Sequence, residues 1–261
     1  MAFTVHAVMP GVWHIVDCMG VCMTLLEGEN AAMLVDTGYG IEDVADFMRH
    51  MTDLPLTVFL THNHHDHAMG ARCFPETYML EADMADWGMF TNDEMRRRVL
   101  TQAIGKNLTV DEKTFLAGEI PLPKVMKPGV IDLGGLTAEI IEAPGHTPGS
   151  AVVYVPERKL LLSGDDWNPC TWLFFPQALG LREYRSNMRG IQQLPFEKVL
   201  CPHREALYDR WMFDDFFNAL TDGNLRAAEP VNIAPYEQID TCQATLPHDQ
   251  VFVFDWAKSG L

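Results

Sequence analysis

Six consecutive residues, His62-Asn63-His64-His65-Asp66-His67, constrain this chain most, because they put four histidines and an aspartate, all suited to metal binding, into one short run. Imidazole and carboxylate are ligands that borderline divalent ions such as zinc, iron and manganese accept, and histidine nitrogens are free to bind them at neutral pH. The preceding Leu56-Thr57-Val58-Phe59-Leu60 is β-rich and largely apolar and reads as a buried strand ending at Thr61. The run is then the loop that leaves this strand. Such a loop can direct His62 and His64 to one ion and Asp66 and His67 to a second, with Gly70 closing the segment and His65 pointing away. A solvated polar loop or an expression tag is the bland alternative, but a tag would be terminal and would not alternate in this way.

The His62-x-His64-x-Asp66-His67 pattern followed by Gly70 resembles the signature of the metallo-β-lactamase superfamily. Other segments follow that family's order: Asp36 in Leu34-Val35-Asp36-Thr37-Gly38, His146 in Pro144-Gly145-His146-Thr147-Pro148-Gly149, Asp165 in Ser163-Gly164-Asp165, and a late His203. The resemblance implies an α/β fold of the αββα type, with two mixed β-sheets packed face to face between helices. It also implies that His62, His64 and His146 hold a first divalent ion and that Asp66, His67 and His203 hold a second. Asp165 would bridge the two, and Asp36 would stand behind a ligand or a bound water and orient it. Zinc is the expected metal, with iron or manganese as alternatives.

A site of this kind keeps open coordination positions, the mark of a catalytic centre. The implied reaction is hydrolysis of a small ester, thioester, lactone or phosphodiester by a metal-bridging hydroxide, with Asp66 as the catalytic proton carrier. A mononuclear iron oxygenase of the persulfide dioxygenase type, or a non-catalytic metal-binding protein, stays open on the same scaffold. His64 stands where the flavodiiron branch has glutamate, and Asp165 where true β-lactamases generally lack a bridging carboxylate. Both point toward the glyoxalase, lactonase and phosphodiesterase side. Two features depart from the pattern: Pro202 precedes His203 where many relatives have glycine, and Asp166 follows Asp165. Asp166 could accept a hydrogen bond from behind a ligand, but a solvated loop carboxylate is the expectation; Cys201 could compete as a soft ligand, but a buried structural thiol is expected.

At 261 residues and 48% hydrophobic content the chain reads as a single domain, residues 1–261, with enough length to bury a large core. No apolar stretch approaches the ~20 residues of a membrane span, and the N-terminal residues lack the pattern of a signal peptide. A cytoplasmic protein is expected. Its six cysteines, at 18, 22, 73, 170, 201 and 242, have no Cys-x-x-Cys spacing and read as free thiols. The formal charge of −17 argues against a nucleic-acid partner, which calls for a basic face, and leaves a small-molecule substrate.

Val12 to Val16, Val21 to Leu26 and Ala31 to Val35 read as consecutive strands, and Ile41, Val44, Ala45 and Met48 as one face of a helix. Further strands are expected at Ala138 to Glu142, Ala151 to Val155, Leu160 to Leu162, Lys198 to Leu200 and Val251 to Phe254. Phe213, Phe216, Phe217 and Leu220 mark a helix that Gly223 could end. Between the two halves, about 82–127, lies a helical insertion that could form a lid. Its Arg96-Arg97-Arg98 could bind an anionic group, but Thr91 with Glu94 looks like a capping box, and Asp93 with Arg97 and Glu94 with Arg98 have ion-pair spacing, so a solvated helix face is the expectation. Substrate choice should fall to the loop after Asp165, where Trp167, Trp172, Phe174 and Phe175 could wall an apolar pocket; packing in the core or at a homodimer interface is the equal alternative.

Overall fold

Strand Ala32–Val35 shows how this sequence builds layers: all four of its residues are buried, and its side chains alternate between two cores. Ala32 and Leu34 pack with Val44, Ala45 and Met48 of helix Val44–Met51, whereas Met33 and Val35 face a second sheet. A strand covered on both sides must be apolar at every position, and the period of two divides it between the layers. The helix starts at Val44, where the Asp43 side chain caps it by accepting from the Asp46 N–H, so Ile41 precedes it.

The computed structural model describes residues 3–261. A seven-stranded mixed sheet runs in chain order through Thr4–Met9, Val12–Val16, Cys22–Glu27, Ala32–Val35, Leu56–Phe59, Tyr78–Met79 and Lys124–Val125. Facing it, a six-stranded mixed sheet orders Tyr208–Asp209, Lys198–Leu200, Leu160–Leu162, Ala151–Val155, Thr137–Glu142 and Gly129–Asp132. Between them Val12, Leu26, Met33 and Phe59 of the first sheet meet Ile140, Val153, Leu160 and Leu162 of the second. The outer face of the second sheet, carrying Val152, Leu161 and Val199, is covered by helices Leu181–Ile191 and Arg210–Ala219. Each large apolar side chain fully withdrawn from water in these layers contributes about 1.5–3 kcal/mol. The αββα expectation is met.

A four-stranded sheet that the sequence reading did not anticipate joins Cys170–Leu173, Gln250–Asp255, Thr241–Leu246 and Glu229–Pro230. The aromatic segment after Asp165 is therefore partly a strand, held by parallel pairing of Thr171 with Phe252 and of Leu173 with Phe254. Gly223 does not end the preceding helix, which stops at Ala219; it lies inside the short helix Asp222–Arg226.

The insertion is helical, with helices Trp87–Thr91, Asp93–Gly105 and Glu112–Phe115, before the chain rejoins the first sheet at Lys124–Val125. Its cap differs from the expected box: Asn92 accepts from the Met95 N–H, and the Thr91 hydroxyl donates back to Trp87. Arg96, not Arg97, pairs with Asp93, and it is buried rather than solvated. No helix among the described residues is long and apolar enough to cross a membrane.

Gly70 is where the two metal-site loops nearest the first sheet touch. A Cβ there would stand 2.1 Å from the Thr37 carbonyl oxygen, and the Thr37 N–H and hydroxyl both donate to His67 O at 2.8 Å. Gly70→Ala is expected to push these loops apart and cost about 1–3 kcal/mol. At roughly 2–4 °C per kcal/mol, a thermal melt would register several degrees; an unchanged Tm would contradict the close approach.

Candidate metal centre

The centre is built where strands end: His62 and His64 follow Leu56–Phe59 directly, and Asp66 and His67 lie on the short helix His65–Ala68 that comes next. In the first sheet Ala32–Val35 and Leu56–Phe59 run parallel and release Asp36 and the His62–His67 loop at one edge. In the second, Leu160–Leu162 runs parallel to Lys198–Leu200, and two antiparallel steps give Thr137–Glu142 the same direction, so His146, Asp165 and His203 also emerge together. The structure brings all seven residues expected at the metals into two groups, His62, His64, His146 and Asp165, and Asp66, His67 and His203. Within each group one ligand atom per residue lies within 4.8 Å of every other. Asp165 touches both: its carboxylate is 3.4 Å from His146 Nε2, 3.5 Å from His67 Nε2 and 3.0 Å from His203 Nε2.

Burial disfavours a proton on His62, His64 and His146 and holds all three below the ordinary histidine range, which leaves lone pairs available. Burial acts the same way on His67 and His203, but there the nearby carboxylates, Asp165 foremost, outweigh it and raise both. Burial would also raise Asp66, yet His67, His65 and His203 bring it down to about 2. The atoms His62 Nε2, His67 Nε2 and Asp165 Oδ1 are buried with no hydrogen-bond partner. An unpaired buried polar atom costs about 1–3 kcal/mol, so three such atoms spread over the two groups fit the binding of cations there.

The far side of these rings is held. The Asp36 backbone is left-handed, with φ 65°, a conformation aspartate tolerates. Its carboxylate accepts from His67 Nδ1 at 2.9 Å and from the Thr61 N–H at 2.7 Å. His146 Nδ1 donates to the Trp172 carbonyl at 2.7 Å. His64 is turned the other way: its Nδ1 lies 2.8 Å from His146 Nε2, inside the group, while its Nε2 meets the Gln177 amide at 2.6 Å.

Beside the two groups lies a cavity of about 490 Å³ reached by His64, Asp66, His146, Asp165 and His203. Trp172 and Phe175 line it, but Trp167 and Phe174 do not. Trp167 is fully buried, its ring against Tyr208 and Phe213 and its Nε1–H donating to Gln250, and Phe174 is fully buried beneath Phe175. Both belong to the core, and both flank the strand Cys170–Leu173 rather than lie on it. His65 does not point away as expected; it sits at the cavity wall, its ring against Tyr39. Arg98 and Arg204 also reach the cavity.

Asp166 corrects the expectation of a solvated carboxylate: it is 1% exposed and accepts the His146 N–H at 3.0 Å. Burial raises it well above the usual carboxylate range. Asp83 was not singled out at all. Its carboxylate accepts from the Asn63 N–H, the Thr147 hydroxyl and the Gly149 N–H, and so ties the start of the insertion to two metal-site loops. Asp166 shows in the sequence only as an extra carboxylate after Asp165, and Asp83 carries no signal, because the partners of both lie 20 or more residues away. All six cysteines are free, and Cys201 is buried.

Comparison with known proteins agrees with this geometry. The sequence model of the metallo-beta-lactamase superfamily matches residues 16–203. A curated relative, the acyl-coenzyme A thioesterase MBLAC2 of Gallus gallus, is 26% identical over 202 residues, covering 69% of this chain and 70% of its own. Among solved structures, a metallo-beta-lactamase from Pontibacter korlensis superposes with a TM-score of 0.59 at 18% identity, over 83% of this chain and 98% of that one. The sec-alkylsulfatase Pisa1 from Pseudomonas sp. superposes with a TM-score of 0.64 at 15% identity, over 86% of this chain and 42% of that one. With the family's sequence pattern matched across most of its length and the strand ends converging on one His/Asp centre, this chain belongs to the metallo-β-lactamase superfamily.

Proposed function

We propose that this protein is a dinuclear metal-dependent hydrolase of a small carboxylic thioester or ester. The observation that carries the reading is Asp165, one carboxylate within 3.5 Å of histidine nitrogens from both groups. His62, His64 and His146 would hold one ion, Asp66, His67 and His203 the other, and Asp165 would join them. The chemistry that two divalent ions, zinc by preference and iron or manganese as alternatives, would supply when bound there is an acidified water and an electrophile for the substrate's acyl oxygen. Asp66, ionised and partly open to the cavity, accepts a proton and returns it to the leaving group. Asp36 fixes the His67 ring through Nδ1. Phe175, packed on His64 and His146, keeps water from that side of the site. Thioesters come first among the lactone, phosphodiester and ester candidates because the curated relative is an acyl-coenzyme A thioesterase and the cavity has an apolar wall.

Gln177 supplies a check on the ligand assignment. With its amide oxygen toward His64, it accepts the Nε2–H and leaves the Nδ1 lone pair directed into the site. Gln177→Ala is expected to weaken metal binding by about tenfold, the low end of what an outer partner contributes. Competition with a chelating dye measures this; wild-type affinity would remove Gln177 from the arrangement.

The proposal as a whole is tested with chelator-stripped protein. Returning zinc should bind two equivalents and restore hydrolysis of a panel of thioesters, esters, lactones and phosphodiesters. Protein purified without added metal that carries one iron per chain and consumes oxygen would overturn the hydrolase reading in favour of an oxygenase. Fully loaded protein inactive toward the whole panel would favour a binding role.

A further inference from the structure

The cavity over the metal centre does not end at the centre. A second chamber of about 280 Å³ adjoins it, and the two share Phe90, Met95, Arg98, Phe175 and Tyr236 as walls. Its remaining surface comes from Met89, Pro176 and Gln177, with Asn92 and Glu94 at the rim. The chamber lies between the helical insertion, which contributes Met89 to Arg98, and the segment just after strand Cys170–Leu173.

The two sides of the centre differ in chemistry. On the first-group side the rings of Phe90 and Phe175 stand 4.5 and 4.8 Å from the His64 ring, and Phe175 also edges His146 and Tyr236. On the second-group side the cavity wall includes Tyr39 and His65, beside Asp66, and Arg204, directly after His203 in the chain. A substrate cleaved between the two sides thus meets an apolar wall at one end and a polar, cationic one at the other.

We infer that the second chamber is an acyl-chain subsite: the substrate is an amphiphile whose unbranched apolar acyl chain enters past Phe90, Phe175 and Tyr236, while a polar, anionic leaving group faces Arg204. The inference rests on the hydrolase reading for the bond that is cleaved. It goes beyond that reading in fixing which end of the substrate lies on which side and in assigning Met95 as the residue that sets chain length. Met95 fits that role because it walls both spaces from the insertion helix, and its flexible thioether yields to a chain. Arg98 stands at the junction and pairs with Glu94 at 3.7 Å, which marks the chamber's polar rim.

Two measurements test this. The first is calorimetric binding to the metal-loaded protein of thioether analogues, which cannot be hydrolysed, carrying ethyl to decyl chains on one anionic thiol. Affinity is expected to rise by up to about fourfold per buried methylene and then level off as the chain passes the open rim. In Met95→Trp, which fills the chamber, the rise should stop several methylenes earlier; Met95→Ala should extend it. The second is kcat/KM for the matching thioesters, whose chain-length profile should follow the binding profile in all three proteins. Affinity independent of chain length, or the same cutoff in wild type and Met95→Trp, overturns the subsite. Chain-dependent binding without cleavage of any thioester or ester sinks the hydrolase reading and leaves the subsite standing.

Discussion

Alanine at position 165 is expected to abolish turnover while leaving the fold largely intact. Under the proposed assignment Asp165 is the one side chain shared by both ions, so its loss removes negative charge from two positive centres at once and leaves His203, and the Nε2 edge of His67, without their nearest carboxylate. An ion pair with no anionic bridge repels itself, and occupancy should fall below two per chain. A drop in kcat/KM on the order of a thousandfold or more corresponds to about 4 kcal/mol of lost transition-state stabilisation, well within what metal centres contribute. Two readouts separate this from unfolding: metal content by elemental analysis and secondary structure by circular dichroism. The fold should survive because the adjoining strand Leu160–Leu162 is fixed by core packing, not by the carboxylate. Unchanged activity and two bound metals in Asp165→Ala would remove the bridge from the mechanism.

The second large effect is expected at Asp36, which touches no metal in the proposed arrangement. Asp36→Ala deletes the acceptor for His67 Nδ1 and for the Thr61 N–H and hydroxyl together. Freed of its partner, His67 can rotate or protonate, and metal affinity should fall by about 10–100-fold, felt first at the second ion. The buried Thr61 N–H left unpaired adds about 1–3 kcal/mol of destabilisation. Asp36→Asn tolerates the same left-handed backbone and keeps one acceptor oxygen, so it should fall between wild type and alanine. Zinc titration by calorimetry measures the second equivalent directly. Wild-type affinity for that equivalent in Asp36→Ala would show that His67 needs no support from behind.

Much of the architecture was legible because it rests on local periodicity. Ala151–Val155 and Leu160–Leu162 are continuous apolar runs, and such runs fit strands buried on both faces. The four-stranded sheet was harder to see. Its strand Cys170–Leu173 has only four residues and its partner lies some 80 residues away, so pairing rather than composition makes it a strand. The aromatics in and around this strand divide between two environments. Trp172 and Phe175 face the cavity while Trp167 and Phe174 fill the core, a division by direction that residue type does not carry.

The insertion shows the same limit on a smaller scale. Spacing suggested Asp93 with Arg97, yet Arg96 takes Asp93, because its guanidinium is drawn inward to the Phe115 carbonyl. Arg98, left on the outer face, reaches the cavity instead. Three adjacent arginines thus have three different environments.

The sequence by itself supplied the candidate donors of the centre: seven histidines and aspartates in a fixed order, four of them within the run His62 to His67. Side-chain chemistry and strand periodicity are local properties, and they can be read from the chain. Only the tertiary structure decided that the strands run so that their ends meet at one edge. It also decided that Asp165 reaches both groups, that Gln177, Asp83 and Asp166 support them, and that two chambers adjoin the centre. Those features depend on sheet pairing between residues far apart in the chain, where the geometry is set by which backbone edges find each other and not by the identity of any single residue.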